Sequence, residues 1–173
     1  MLFEESLSEF LEGCNRLLIV GVGNRMRGDD AAGCSVARIL RGRLRGKGNV
    51  LVMDCGGVPE NFTLEMKRFR PSHILFIDAV DMGLKPGEAR LVEGDELTGG
   101  SLSTHKQSLK LLFSVLKEGI PGVKIKLLGI QPKTIDFGTR ISSQVRVSVR
   151  AVADGISKLY GGSMLEKDDR MER

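Results

Sequence analysis

Residues 19–33 read "IVGVGNRMRGDDAAG". An apolar run enters a glycine loop, and two acids open the segment that follows. Extended backwards, "RLLIVGVG" (16–23) is a continuous apolar run ending in glycine, the pattern of a strand buried on both faces of a parallel sheet. From Asp29 the apolar positions Ala32, Val36, Ile39 and Leu40 recur at helical spacing, and the pattern fades in the Gly/Arg stretch 41–48. Strand, glycine loop and helix in that order open an α/β domain.

The alternation continues along the chain. "NVLVMD" (49–54) predicts a second strand, then "GGVPEN" leads into a helix ending near Arg70. "HILFIDAV" (73–80) predicts a third buried strand. After the turn-rich "DMGLKPGE", "ARLVEG" (89–94) reads as a short fourth strand, with an antiparallel edge position open to it. Residues 105–118 place Leu109, Leu112, Phe113 and Leu116 on one helix face, and "VKIKLLGI" (123–130) is a fifth strand. Residues 4–12 read as a short amphipathic helix. "QVRVSVRAV" alternates like a strand, yet Ile141, Val145, Val149, Val152, Ile156 and Leu159 keep helical spacing, with Ser142 as N-cap and Gly161 as stop. Length decides for helix. The expectation is one α/β domain over 1–162 with a mainly parallel sheet, and a flexible charged tail over 163–173.

Composition bounds the function. A chain of 173 residues buries roughly 70% of its unfolded surface in one core and needs no staples. The net charge of +4 owes much to Arg38, Arg41, Arg43, Arg45 and Lys47. A solvated helix end explains that run better than a patch for an acidic partner, since cations suit a helix C-terminus. No aromatic residues interleave with it, so nucleic acid is not an expected partner. Cys14, Cys34 and Cys55 form no C-x-x-C pair, which speaks for a reducing compartment. "MLFEESLSEF" is no signal peptide and no later run is apolar enough for a membrane, so a cytoplasmic protein is expected.

The glycine loop does not read as a phosphate cradle. Gly21 and Gly23 begin a G-x-G-x-x-G pattern, but Met26 stands at its third glycine, and no G-K-[ST] follows. Asp29 and Asp30 also put carboxylates where a helix start would hold an anion. Asp29 alone reads as an N-cap. A second acid exceeds what a cap requires, so Asp30 is read as aimed across the top of the sheet.

Sites in such sheets form beyond the carboxyl ends of the strands. Strand one leads to Asp30, strand two ends in Asp54, and strand three ends in Asp78 with Asp81 close behind. Convergent carboxylates call for a neutralising cation. An acid closing an apolar strand, as Asp78 does, is costly without a partner. His105 opens a helix in "LSTHKQSL", with Ser103 or Thr104 as cap, and the helix N-terminus favours its neutral form. Two carboxylates and one imidazole suit a borderline divalent ion such as Ni²⁺, Zn²⁺ or Mn²⁺. Spacing alone favours reading His105 as an exposed first-turn histidine over a metal ligand. His73, placed at a surface turn before strand three, receives no role. No G-x-S-x-G elbow or H-E-x-x-H motif is present, and Cys34 and Cys55 read as buried structural thiols.

Taken in order, "GVGNRMRGDDAAG", "DCGGVPEN", "IDAVDMGLKPGE", "STHKQSL" and "LLGIQP" resemble the motifs of the NiFe-hydrogenase maturation endopeptidases, in the branch serving hydrogenase 3-type, formate-hydrogenlyase (group 4) enzymes. The likeness spans residues 16–160. It implies a twisted, mostly parallel five-stranded sheet with helices on both faces. It implies an aspartic-type endopeptidase that removes the C-terminal extension of the large-subunit precursor after nickel insertion. Metal-binding positions carry over to Asp30, Asp78 and His105, and Asp54 matches an acid implicated in function. Asp54, Asp30 and Asp78 are therefore the candidate catalytic residues. The nickel belongs to the precursor, the expected partner, and no permanent metal is implied. A monomer is expected, with no membrane insertion. The group that activates water stays open between Asp54 and metal-bound water. Ala31 replaces a frequent glycine after the acid pair, and Cys55 and Gly57 replace small or hydroxyl residues. Two rivals remain, a non-catalytic nickel-binding chaperone with the same ligands and a nucleotide-binding module using the glycine loop.

Overall fold

In the computed structural model, which describes residues 2–92 and 106–168, a five-stranded sheet lies between two layers of helices. The elements are α1 (Leu2–Phe10), β1 (Leu17–Gly21), α2 (Ala32–Arg43), β2 (Val50–Asp54), α3 (Thr63–Phe69), β3 (His73–Ala79), β4 (Ala89–Val92), α4 (Lys106–Gly119), β5 (Lys124–Ile130) and α5 (Ser143–Asp168). Single 3₁₀ turns, Gly28–Ala31 and Pro59–Phe62, precede α2 and α3. The strand order is β2-β1-β3-β5-β4. β4 alone runs antiparallel, paired with β5 at the edge.

The apolar strand runs are buried on both faces. Leu17, Ile19, Leu75, Ile77, Leu128 and Ile130 pack against α1, α2 and α5. Leu18, Val20, Ile74, Phe76 and Leu127 pack on the opposite face with Met66 of α3 and Leu109, Leu112, Phe113 and Leu116 of α4. Strand periodicity divides each run between the two cores, and helices cover both.

Strand order places the site. From β1 the chain passes through α2 to β2 on one side, then crosses by α3 to β3 on the other side of β1. The connections thus diverge between β1 and β3, and that reversal opens a crevice at their carboxyl ends.

Two features differ from expectation and one agrees. α5 runs on through Gly161 and Gly162 to Asp168, seven residues beyond Gly161. A glycine costs a helix only about 1 kcal/mol, which does not by itself stop it. Ser142 does cap α5, accepting from the Val145 N–H at 3.4 Å. His73 is not at a surface turn: it begins β3 and is 3% exposed. Its ring packs edge-on against Phe10 with centroids 5.1 Å apart.

Candidate active site

The glycines of the first loop serve packing. A Cβ on Gly21 would collide with the Gly33 carbonyl and the Ala37 side chain, and one on Gly33 with the carbonyls of Ile77 and Val22. Helix α2 therefore rests directly on β1 and β3. Gly23, at φ +137°, has the Asp30 carbonyl oxygen where a side chain would begin. The loop is filled by the protein's own backbone.

Its donors are used as well. The Val22 N–H donates to the Ile77 carbonyl, Gly23 to Gly56, Gly28 to Thr139, and Asp29 to Thr134. The Asn24 N–H donates to Asp30 Oδ2 at 2.8 Å, and the Met26 N–H to Asn24 Oδ1 at 2.9 Å. A phosphate cradle needs these N–H groups free. The nucleotide-binding rival fails on this point.

The two consecutive acids have separate duties. Asp29 is not an N-cap: no side-chain cap bond forms at this turn or at α2. Fully buried, it accepts from the N–H groups of Lys133 (2.8 Å), Thr134 (3.2 Å) and Ser142 (2.7 Å) and from the Ser142 hydroxyl (2.9 Å). It fastens the loop between β5 and α5 to the glycine loop. Asp30, 2% exposed, turns to the loop after β1 and is held there by Asn24.

Asp78 closes β3 with no solvent exposure, and its Oδ1 accepts from the Ala79 N–H at 2.8 Å. The 3₁₀ turn carrying Asp30 packs on β3. Asp30 thus follows β1 and Asp78 lies near the end of β3, the two strands between which the order reverses. His105, Ser103 and Thr104 lie outside the described residues, and α4 is described from Lys106. Among the described residues no three His, Cys, Asp or Glu side chains form a metal-binding group.

Asp54 is set apart from that pair. It is in register with Gly21, which is in register with Ile77. Successive strand residues alternate faces, so Asp54 points with Ile77 toward α2 while Asp78 points toward α4. Arg25 pairs with Asp54 Oδ2, and Oδ1 is buried with no hydrogen-bond partner among the described residues. The thiol of Cys34 donates to the Gly23 carbonyl at 3.3 Å. Burial pushes Cys34 up to about 12, with the nearby Asp54 acting in the same direction. Cys55 is likewise pushed up to about 12, chiefly by burial. Neither thiol is an available nucleophile.

Gln131, just past β5, is a site-building residue that the sequence reading missed. Its Oε1 accepts from the N–H groups of Met82 (2.7 Å) and Leu84 (3.2 Å), and its Nε2 donates to Asp81 Oδ1 at 3.0 Å. The bond from Gln131 is the main cause holding Asp81 below the usual carboxylate range. Asp81 shapes the "DMGLKPGE" loop and does not join the crevice pair. Its place at a strand end, beside Pro132, was the available signal.

A family model described as hydrogenase maturation protease, HycI, matches residues 34–158. The chain is 36% identical over 136 residues to the hydrogenase 3 maturation protease of Escherichia coli strain K12, covering 78% of this chain and 85% of that protein. Its fold matches the crystal structure of the [NiFe] hydrogenase maturation protease HycI from Thermococcus kodakarensis KOD1 with a TM-score of 0.82. That match has 30% identity and covers 89% of this chain and 97% of the other. The solution structure of the endopeptidase HycI from Escherichia coli matches at a TM-score of 0.70 and 33% identity, over 80% and 87% of the two chains.

Proposed function

The chain belongs to the hydrogenase maturation protease family, and from that premise we propose that it removes the C-terminal extension of a NiFe-hydrogenase large-subunit precursor once nickel is in place. The observation that carries this reading is the pair Asp30 and Asp78, two carboxylates closed off from solvent at the crevice where the strand order reverses. Buried carboxylates at one site are costly unless a cation joins them.

The precursor's nickel is that cation. Asp30 and Asp78 offer oxygen ligands and His105 a nitrogen, a set that suits a borderline divalent ion. The enzyme needs no resident metal in this account, because the ion arrives with the substrate and serves as its recognition handle. A precursor without nickel lacks the ion that this ligand set takes. Seating the metal also fixes the scissile peptide over the strand ends, and such positioning supplies about 7–11 kcal/mol of barrier reduction in the best cases.

Asp54 is the general base of the account. Its carboxylate is the candidate acceptor for a proton of attacking water, and Arg25 fixes it through Oδ2. It acts on the α2 side of the crevice, while Asp78 holds the metal on the α4 side. No disulfide joins Cys14, Cys34 or Cys55, which suits a cytoplasmic setting. No described helix is long and apolar enough to cross a membrane.

Mass spectrometry of the cognate precursor, nickel-loaded and nickel-free, tests the proposal after incubation with the protein. The expected result is loss of one discrete C-terminal peptide from the loaded form alone. Binding without cleavage would replace the peptidase by a chaperone, and cleavage of both forms would remove the metal checkpoint.

A further inference from the structure

Two adjoining clefts lie on the α2 side of the site. The first, of about 360 Å³, is lined by Arg25, Arg38 and Arg140, and the second, of about 280 Å³, by Arg38, Arg146 and Arg150. Ser35 and Ile141 border both, so the two form one groove between α2 and the start of α5. It begins at Gly28 and Ala31, which flank the acid pair, and at Arg25 on Asp54.

The charge of this groove is unbalanced. No carboxylate lines either cleft. Arg25 is paired with Asp54, and Arg146 donates to the Ile141 carbonyl at 3.1 Å. Arg38, Arg140 and Arg150 are exposed and have no anionic partner among the described residues. The end of the arginine run behaves differently, because Arg43 is paired with Asp154 at 2.5 Å. At the amino end of the sheet, the hollow lined by Lys117, Lys124 and Lys126 contains Glu9. A one-signed groove focuses its field, and guanidinium forks match carboxylates in two-bond geometry.

Building on the peptidase reading, we infer that this arginine groove is a substrate-binding exosite that holds an acidic, extended segment of the precursor. A peptide leaving the crevice on the α2 side enters the groove directly, with carboxylates meeting Arg38, Arg140 and Arg150 in turn. No aromatic side chain lines it, so it lacks the stacking platforms that single-stranded nucleic acid requires. Rim charges of this kind act mainly on capture and its salt dependence.

The test uses the full-length protein and its variant Arg38→Gln/Arg140→Gln/Arg150→Gln, with unfolding midpoints compared as a fold control. Fluorescence anisotropy is read with a labelled glutamate-rich peptide and its glutamine counterpart. The glutamate peptide should bind wild type, weaken as salt rises, and bind the variant about tenfold or more less tightly. On nickel-loaded precursor the variant should show a raised KM with kcat unchanged. Equal binding of the two peptides, or equal binding by variant and wild type, would overturn the inference. An unchanged KM would overturn the precursor as occupant, and tighter binding of a single-stranded oligonucleotide would replace it with nucleic acid. If wild type cleaves no precursor, the peptidase reading fails and with it the assigned occupant, while the peptide comparison still decides whether the groove holds acidic chains.

Discussion

The carboxyl and amino ends of the same sheet both bury ionisable groups, with opposite results. At the amino end His73 begins β3 against Phe10, with Nδ1 against the Ser72 hydroxyl at 3.0 Å and Nε2 buried without a hydrogen-bond partner among the described residues. Burial, and secondarily the Lys124 charge, hold this imidazole below its ordinary value, so it is a neutral piece of core. At the carboxyl end Asp29 accepts four hydrogen bonds from a loop more than 100 residues away, while Asp30 and Asp78 stand at the crevice. One end hides a titratable group by neutralising it. The other surrounds Asp29 with donors and leaves Asp30 and Asp78 at the ends of neighbouring strands.

The sharpest way to break that contrast is to neutralise a crevice carboxylate without changing its shape. Asp78→Asn should leave the circular dichroism spectrum and unfolding midpoint near wild type and lower processing of nickel-loaded precursor by at least about a hundredfold. Removing even an outer partner of a metal ligand costs up to about that factor. Asp29→Ala probes the scaffold itself. It strands the donors of Lys133, Thr134 and Ser142, so a denaturant titration should show a loss of about 3 kcal/mol. If Asp78→Asn unfolds the protein while Asp29→Ala leaves it stable, the duties assigned to the two acids are reversed.

Gly33→Ala tests the close approach of α2 to β1 and β3. The added methyl meets the Ile77 and Val22 carbonyls, and overpacking of this kind costs about 1–3 kcal/mol. At the amino end the expected effect is smaller and depends on pH. The folded-state value of His73 is depressed from 6.5, so the unfolded chain takes up the proton first. The stability tied to neutral His73 is fully present above pH 6.5 and declines as pH falls below that value toward the depressed one. Unfolding midpoints of wild type and His73→Leu at pH 7.5 and 5.5 should differ in slope, wild type losing more on acidification. Smallest of all, Arg43→Gln breaks an ion pair whose side chains are 41% and 64% exposed, and should cost less than about 0.5 kcal/mol.

The same two ends show what the chain declares in advance. All five strands follow from apolar runs bounded by glycine or turn residues, and Asp30, Asp54 and Asp78 are visible because each closes or follows such a run. Features made by distant pairings are not visible. Asp29 looks like a cap from its neighbours, since its partners at 133, 134 and 142 come from another loop. His73 looks exposed beside Pro71 and Ser72, because Phe10 of α1 covers it only in the fold. Gln131 and the arginine groove belong to the same class. A contiguous run draws the eye to residues 38–47, whereas the groove collects Arg25, Arg38, Arg140, Arg146 and Arg150 from three segments. The separation of Asp54 from Asp78 follows only from register, which fixes the face each side chain takes.

The central claim is that Asp30 and Asp78 hold the nickel seated in the precursor. Its most direct test is the affinity of nickel-loaded against nickel-free precursor for wild type, Asp30→Asn and Asp78→Asn, measured by titration before cleavage proceeds. Wild type should prefer the loaded precursor, and each substitution should abolish the preference while leaving the weaker nickel-free binding in place. A preference that survives both substitutions would contradict it.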